Sequence, residues 1–388
     1  MNFSLDNDQS ELLKAVRSFC EKGIAPRAAE RDRNGAFEDG LIAQLGEMGL
    51  FGFYVPAEFG GAGLDCVGYV SAVEELSRAC GATGILMSAH NSLCVDPILK
   101  FGSDAQKRAY LPKLSSGEWI GCFSLTEPGS GSDAGAAICA AVEKSDGWHI
   151  NGAKCFVTNG AEAHVVILFT VTNPEDKGKH RLSAFIIDRD LPGWRVGKLE
   201  KKLGIRASST TELIFEDCVV PKDRLLGPVN NGLHVALATL DGGRLGVAAQ
   251  AVGIAQAALD AALEYSKTRT AFRRAICEFQ ATQWKLADMH AQLAAARLLT
   301  RRGAWLKDQA RPHGAESAMA KLCASEASAR ITSMAVQIFG GYGYVQDYPV
   351  ERLLRDAKIT ELYEGTSEIQ RIVIARKLIT EPEWAKQR

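Results

Sequence analysis

Glu364 stands in the segment Tyr363-Glu364-Gly365-Thr366-Ser367-Glu368-Ile369-Gln370. Ser367 and Gln370 fit the Ser-x-x-Gln capping pattern, so a helix is expected to begin here with Glu364 in the loop before it. Two chemistries are open to such an acid. On the surface it is a solvated charge. Held over a cavity it becomes a base, once desolvation lifts its pKa from about 4.3 towards neutrality. The residues alone do not choose between them.

Three further segments carry polar groups beside glycines. Asp241-Gly242-Gly243-Arg244 is expected at the head of a long helix. Its acid and base are spaced i, i+3, which suits a surface ion pair. The same pair could also bind a ligand, Asp241 accepting from a donor and Arg244 facing an anionic or polar group. Leu125-Thr126-Glu127-Pro128-Gly129-Ser130-Gly131-Ser132-Asp133 is either a flexible polar turn or a loop whose backbone N–H groups approach an anion or flat ring, with Thr126 and Ser132 as donors. Gln337-Ile338-Phe339-Gly340-Gly341-Tyr342-Gly343-Tyr344 either stops a helix or brings backbone against a ligand.

Other chemistries lack their signatures. There is no GxxxxGK[ST] and no GxGxxG opening a βα unit, which disfavours kinases, ATPases and nicotinamide-dependent Rossmann enzymes. The ten cysteines form no CxxC pair and the seven histidines no HxxxH or HExxH, so a protein metal site is not expected. Scattered cysteines fit buried thiols in a reducing compartment. Lys+Arg number 45 against Asp+Glu 46, giving a net charge of -1 where a nucleic-acid binder would normally show a basic surplus. The start lacks a basic segment followed by an apolar core, and no apolar run is expected to reach the roughly 18 residues of a bilayer span. The expected compartment is the cytoplasm.

The elements that must position these groups fall into three parts, within the two or three domains allowed at about 150 residues each. From about residue 5 to 116 the periodicity is helical, with Leu12, Leu13, Val16 and Phe19 on one face and further helices near 38–48, 67–78 and 104–114. The middle holds β-prone runs at 147–152, 165–171, 182–187 and 211–215, separated by turns such as Asn151-Gly152 and Leu191-Pro192-Gly193. A small antiparallel barrel or sandwich is expected there. Alanine-rich stretches at 247–265, 280–307 and 316–339 then predict closely packed helices. The fold class is thus mainly α with a middle β-domain, with boundaries at 1–117, 118–228 and 229–388.

Taken together and in order, these segments resemble the acyl-CoA dehydrogenase family, its short-chain (butyryl-CoA) members above all. The resemblance runs over essentially the whole chain. It rests on Thr126-Glu127-Pro128-Gly129-Ser130-Gly131-Ser132-Asp133-Ala134-Gly135, Lys202-Leu203-Gly204-Ile205-Arg206-Ala207-Ser208-Ser209-Thr210, Phe215-Glu216-Asp217-Cys218, Leu240-Asp241-Gly242-Gly243-Arg244, the Gln337–Tyr344 segment, and Arg355-Asp356-Ala357-Lys358 running into the Glu364 segment.

The resemblance implies an N-terminal helical domain, a middle β-domain and a C-terminal four-helix bundle. It also implies non-covalent FAD, a homotetramer in which each FAD is reached by a neighbouring subunit, and desaturation of an acyl-CoA thioester between Cα and Cβ. Electrons would pass to an electron-transferring flavoprotein. Glu364 matches the carboxylate that removes the α-proton while a β-hydride leaves to flavin N5. The enolate oxygen would meet the Glu364 N–H and a ribityl hydroxyl. Phe123, Leu125, Thr126 and Ser132 would line the flavin, with Ser132 also near CoA, and Phe156 and Thr158 would pack on the ring's other side. Arg269, Phe272, Gln280, Gln337, Gly340 and Gly341 match residues holding the adjacent subunit's FAD, while Thr366 and Glu368 match its phosphate and adenosine end. Asp241, Arg244 and Gly365 match substrate contacts.

Isovaleryl-type relatives place the base beside the Arg244 position. Here that residue is Gly243, which leaves Glu364 as the base. Two departures stand out. Arg273-Arg274-Ala275 replaces a common glycine after Phe272, and Ala238 is small where short-chain relatives often carry a larger side chain. A short branched-chain dehydrogenase, an acyl-CoA oxidase, or a non-catalytic FAD- and CoA-binding relative are the competing readings.

Overall fold

The computed structural model describes residues 7–176 and 178–386; the residues before Asn7 on the predicted helical face lie outside it. Helices Asn7–Phe19, Leu41–Glu47, Cys66–Ala79, Gly81–Ala89 and Asp104–Ser115 build the first part. On the first helix Val16 is buried, with Leu12, Leu13 and Phe19 packed beside it, so the predicted face holds. Side-chain caps fix two helix starts. Asp65 Oδ1 accepts from Gly68 N at 2.7 Å, and Ser103 forms a reciprocal capping box with Gln106.

Eight strands follow: β1 (Gly121–Ser124), β2 (Ala140–Lys144), β3 (Gly147–Thr158), β4 (Val165–Val171), β5 (Leu182–Asp188), β6 (Trp194–Leu199), β7 (Thr210–Val220) and β8 (Leu225–Leu226). They pair in the order β6-β7-β3-β2-β4-β5-β8, with β1 parallel to β4. β2 meets β4 at a single residue pair, Ala140 with Val171, so the sheet bends there into two layers. The result is a mostly antiparallel sandwich. Strand β4 is buried on both faces. Val166 and Leu168 join Ile150, Phe185 and Phe215 between the layers, whereas Val165, Ile167 and Phe169 pack towards the helices. A strand covered on both sides reads as a continuous apolar run, and 165–171 does.

The third part is helical: Gly232–Thr268, Gln280–Asp308, Gly314–Phe339, Val350–Ile359 and Ser367–Thr380. Asp308, on the second of these, accepts from the Cys66 and Val67 N–H groups at 2.7 and 3.1 Å. The C-terminal part thereby caps a helix of the N-terminal part.

Several expectations need correction. Asn151-Gly152 is not a turn; it lies inside β3 at a register shift against β7. Gly152 (φ 143°) passes so close to Cys139 that a Cβ would approach within 2.8 Å, and Asn151 Oδ1 accepts from Asp217 N at 2.8 Å. The hairpin turn falls earlier, at Ser145-Asp146. The Asp241–Arg244 segment is not a helix head but the interior of Gly232–Thr268. That helix is long and apolar enough to cross a membrane by length and composition, and most of it is buried inside the fold. The small residues that raise its hydropathy serve helix packing. Of the ten cysteines, all free, seven are buried; Cys155 and Cys277 are half-buried and Cys323 is exposed.

Candidate active site

Helix Val350–Ile359 ends short of Tyr363, and helix Ser367–Thr380 begins just beyond Gly365. Thr366 rather than Ser367 caps it, its side chain accepting from Ile369 N at 3.4 Å. Ser367 becomes the first helical residue, because its backbone is already committed to the helix. Between these helices Glu364 (φ 51°) and Gly365 (φ 88°) both take left-handed conformations. For a residue with a Cβ that costs roughly 1–2 kcal/mol, so the surroundings must enforce it. They do. Gln370 Nε2 donates to Gly365 O at 2.7 Å and Glu364 O at 3.3 Å, and Lys321 Nζ donates to Gly365 O at 2.7 Å. Tyr363 Oη donates to Gln250 Oε1, and Gln250 Nε2 donates to Gly81 O at 3.0 Å.

The turn aims the Glu364 carboxylate at Gly243. A Cβ on Gly243 would lie 2.2 Å from Glu364 Oε2 and 2.8 Å from Leu93 Cδ2. Two glycines in a helix interior cost about 1 kcal/mol each, and the carboxylate explains the one at 243. Oε2 is buried with no hydrogen-bond partner among the described residues. Burial pushes the Glu364 carboxyl up to about 7, against the opposing pull of Lys321 and then Arg244. The solvated-acid reading is overturned. This is a desolvated carboxylate poised to exchange a proton near neutral pH.

Arg244 is itself buried, and its Nη1 donates to Asp241 Oδ1 at 2.6 Å. The i, i+3 pair therefore exists, but away from the surface, with Arg244 Nε lacking a partner among the described residues. Burial lowers the Arg244 pKa and raises that of Asp241. A buried cation with a free donor beside a carboxylate is a recognition element for a polar or anionic group.

The loop after β1 is held by a buried ion pair. Lys154, fully buried in β3, donates to Glu127 Oε1 at 2.7 Å and to Leu125 O at 3.0 Å. Glu127 accepts in turn from Ile138 N (2.7 Å) and Cys139 N (3.0 Å), closing the loop's two ends together. Cys155 N donates to Thr126 O at 2.9 Å, which sets Thr126 beside the next residue, Phe156. Phe156 (φ 55°) is 66% exposed at a bulge of β3, with Thr158 two residues on. Gly129 and Gly131 face open space, and Ser132 is exposed. Phe123 packs on Phe169, its ring centroid 4.8 Å away, and Leu125 is buried. A bare aromatic beside a glycine loop with hydroxyl donors is a ledge that fits a flat ring system such as a flavin.

Arg269, Gly340 and Gly341 gather elsewhere, with Gln337 in the helix turn before Gly340 and Gln280 opening helix Gln280–Asp308. Arg269 lies over the Tyr342 ring at 5.4 Å, and with Tyr265, Phe339, Gly340 and Gly341 lines an open cavity of about 720 Å³. Gly340 (φ 61°) ends helix Gly314–Phe339, as its sequence allows. Phe272, 92% exposed, and Arg273 form a two-residue hairpin turn with both φ positive (49° and 67°). The arginine in place of the common glycine, Arg273, sits in a left-handed position. Gly243 lies inside the helix and Arg269 caps its C-terminus, 26 positions on, roughly 39 Å at 1.5 Å per residue. The chain thus presents two separate groups of candidate residues. Thr366 belongs with the Glu364 group, while the Glu368 side chain points to solvent.

Residues 6–118, 122–218 and 230–379 match the N-terminal, middle and C-terminal domains of acyl-CoA dehydrogenases, in that order. The chain belongs to the acyl-CoA dehydrogenase family. It is 51% identical over 368 residues to the mouse protein named short-chain specific acyl-CoA dehydrogenase, mitochondrial, covering 95% of this chain and 89% of that one. Its fold superposes on butyryl-CoA dehydrogenase from Megasphaera elsdenii with a TM-score of 0.96 at 45% identity, over 98% of this chain and all of that one. The same TM-score, at 48% identity and the same coverage, relates it to a chain from work on the electron transferring flavoprotein of Acidaminococcus fermentans and flavin-based electron bifurcation. Acyl-CoA dehydrogenases are flavin-dependent oxidoreductases, so the resemblance drawn from the motifs holds.

The acyl-CoA dehydrogenase motifs did not disclose the groups that hold this site in place: Lys154 with Glu127, Lys321, Gln250 and Gln370. A signal for two of them was present. Lys154 is a charge two residues past the β-prone run 147–152, and Lys321 interrupts Ala318-Met319-Ala320 and Leu322 on a helix whose neighbours are apolar.

Proposed function

We propose that the protein is an FAD-dependent short-chain acyl-CoA dehydrogenase that converts a short acyl-CoA to its trans-2-enoyl-CoA, with Glu364 removing the α-proton. The observation that carries this reading is the buried Oε2 of Glu364 over Gly243, without a hydrogen-bond partner among the described residues, in a carboxyl held near neutrality. A thioester α-proton is far less acidic than a carboxylic acid, so the base must be ionised yet poorly solvated, and the enolate oxygen must be stabilised. Burial supplies the poor solvation, while the charges of Lys321 and Arg244 favour the ionised form. The backbone N–H of Glu364 would donate to the thioester oxygen, holding the substrate's α-carbon against the carboxylate. Asp241 and Arg244 would take the polar CoA portion.

FAD bound at the ledge of Phe123, Leu125, Thr126, Ser132, Phe156 and Thr158 supplies the acceptor for the β-hydride. The short-chain assignment rests on the specificity named for the mouse relative and on the butyryl-CoA dehydrogenase fold match. An electron-transferring flavoprotein as redox partner is supported by the Acidaminococcus match. A homotetramer accounts for the second group: Arg269, at the far end of the helix that carries Gly243, is too distant to serve the same dinucleotide, and with Phe272, Gln280, Gln337, Gly340 and Gly341 would hold the FAD of a neighbouring subunit.

Anaerobic titration of the purified flavoprotein with butyryl-, isovaleryl- and octanoyl-CoA tests the reading. Butyryl-CoA is expected to bleach the flavin absorbance most effectively; no bleaching with any of the three would sink the assignment. Glu364→Gln is expected to retain FAD and lose bleaching by at least a thousandfold in rate, and retained activity would place the base elsewhere.

A further inference from the structure

The left-handed turn that carries Glu364 is gripped from two sides. Gln370, fully buried, offers a neutral donor, and Lys321, also fully buried on helix Gly314–Phe339, offers a charged one. A buried ammonium is costly unless it is paired. The single hydrogen-bond acceptor seen for Lys321 is a backbone carbonyl, Gly365 O, and no carboxylate lies within salt-bridge distance among the described residues. Its electrostatic partner is Glu364, whose charge opposes the burial that pushes Lys321 down to about 8. The reverse also holds, since Lys321 is the leading influence drawing the Glu364 carboxyl back down, ahead of Arg244.

We propose that Lys321 is a positioning residue for the base: it fastens the Glu364–Gly365 turn and supplies the buried positive charge that favours the ionised carboxylate. The inference rests on the reading of Glu364 as base. Other charged and titratable groups lie around the pair on each neighbouring element. They are Arg244 on helix Gly232–Thr268, Glu361 and Glu368 beside the turn, Tyr363 within it, and Tyr69 on helix Cys66–Ala79. Of these only Arg244 is cationic, and it is engaged by Asp241. Removing the Lys321 charge therefore leaves Glu364 with one cation that is already shared.

The test is the pH dependence of flavin reduction by butyryl-CoA, measured by stopped flow on the FAD-loaded oligomer. Wild type and Glu364→Gln are run first; failure of wild type to bleach would overturn the base reading itself. With wild type active, Lys321→Met is expected to move the acidic limb of kcat/KM upward by about one pH unit, a tenfold loss at pH 6. The loss should shrink above pH 8. Lys321→Arg should keep the wild-type limb. Gln370→Leu, which removes a neutral grip on the same carbonyl, should slow the reaction without moving the limb. Lys321→Gln, which can still donate to Gly365 O, replaces Lys321→Met should the latter fail to fold. An unmoved limb in a folded neutral variant would overturn the proposal. So would failure of both neutral variants to fold while Lys321→Arg folds, since Lys321 would then serve folding alone.

Discussion

At the residue scale, Glu364 sets two properties against each other. Its carboxyl sits at about 7 in the fold against an ordinary value of 4.5, so the folded chain holds a proton that the unfolded chain releases. Well below pH 4.5 both states are protonated and the burial has no ionisation cost. As pH rises towards 7 the unfolded state is increasingly favoured, and above 7 the full penalty, on the order of 3 kcal/mol, persists. Glu364→Gln has no such penalty. Its melting temperature is expected to exceed that of wild type at pH 8 and to converge with it about one pH unit below 4.5. A mutant stabilised equally at both pH values would show that packing, not ionisation, is responsible. The residue needed for turnover would thus be one the fold tolerates at a cost.

At the scale of elements, the loop between β1 and β2 depends on a pair that no local pattern predicts. Lys154 and Glu127 are both buried, and each also satisfies backbone groups. Breaking such a pair leaves an uncompensated buried charge, worth about 3–5 kcal/mol. Lys154→Met is expected to lower the melting temperature and to strip flavin from the purified protein, with helical content unchanged by circular dichroism. Normal flavin content would show that the loop holds its shape unaided. Much at this scale was legible in the sequence: the apolar run of β4, the helix faces, and the glycine stop at 340. What was not legible depended on contacts distant in sequence. The helix through Asp241 and Arg244 looked like a start because two glycines weaken it, and only the carboxylate from residue 364 explains Gly243. Asn151-Gly152 has the composition of a turn, yet Cys139 and Asp217 require it inside a strand. Cap positions shifted by one residue, from Ser367 to Thr366, because either hydroxyl satisfies the pattern.

At the scale of the whole molecule, helix Gly232–Thr268 governs the arrangement. Near one end it presents Asp241, Gly243 and Arg244 to the Glu364 turn; at the other, Arg269 opens the cavity beside Gly340 and Gly341. Under the proposed assembly a complete site takes the base from one chain and Phe272 with Arg269 from another. Genetics then offers a readout that chemistry on a single variant does not. Chains carrying Glu364→Gln and chains carrying Phe272→Asp would each be inactive alone. In a mixed pair, one site draws both lesions and the other draws neither. Co-expression of the two defective chains should therefore restore turnover that neither shows separately, and its absence from verified mixed oligomers would refute a shared site. Two loss-of-function alleles of this gene would then complement each other, because a single rigid helix divides its functional residues between neighbours.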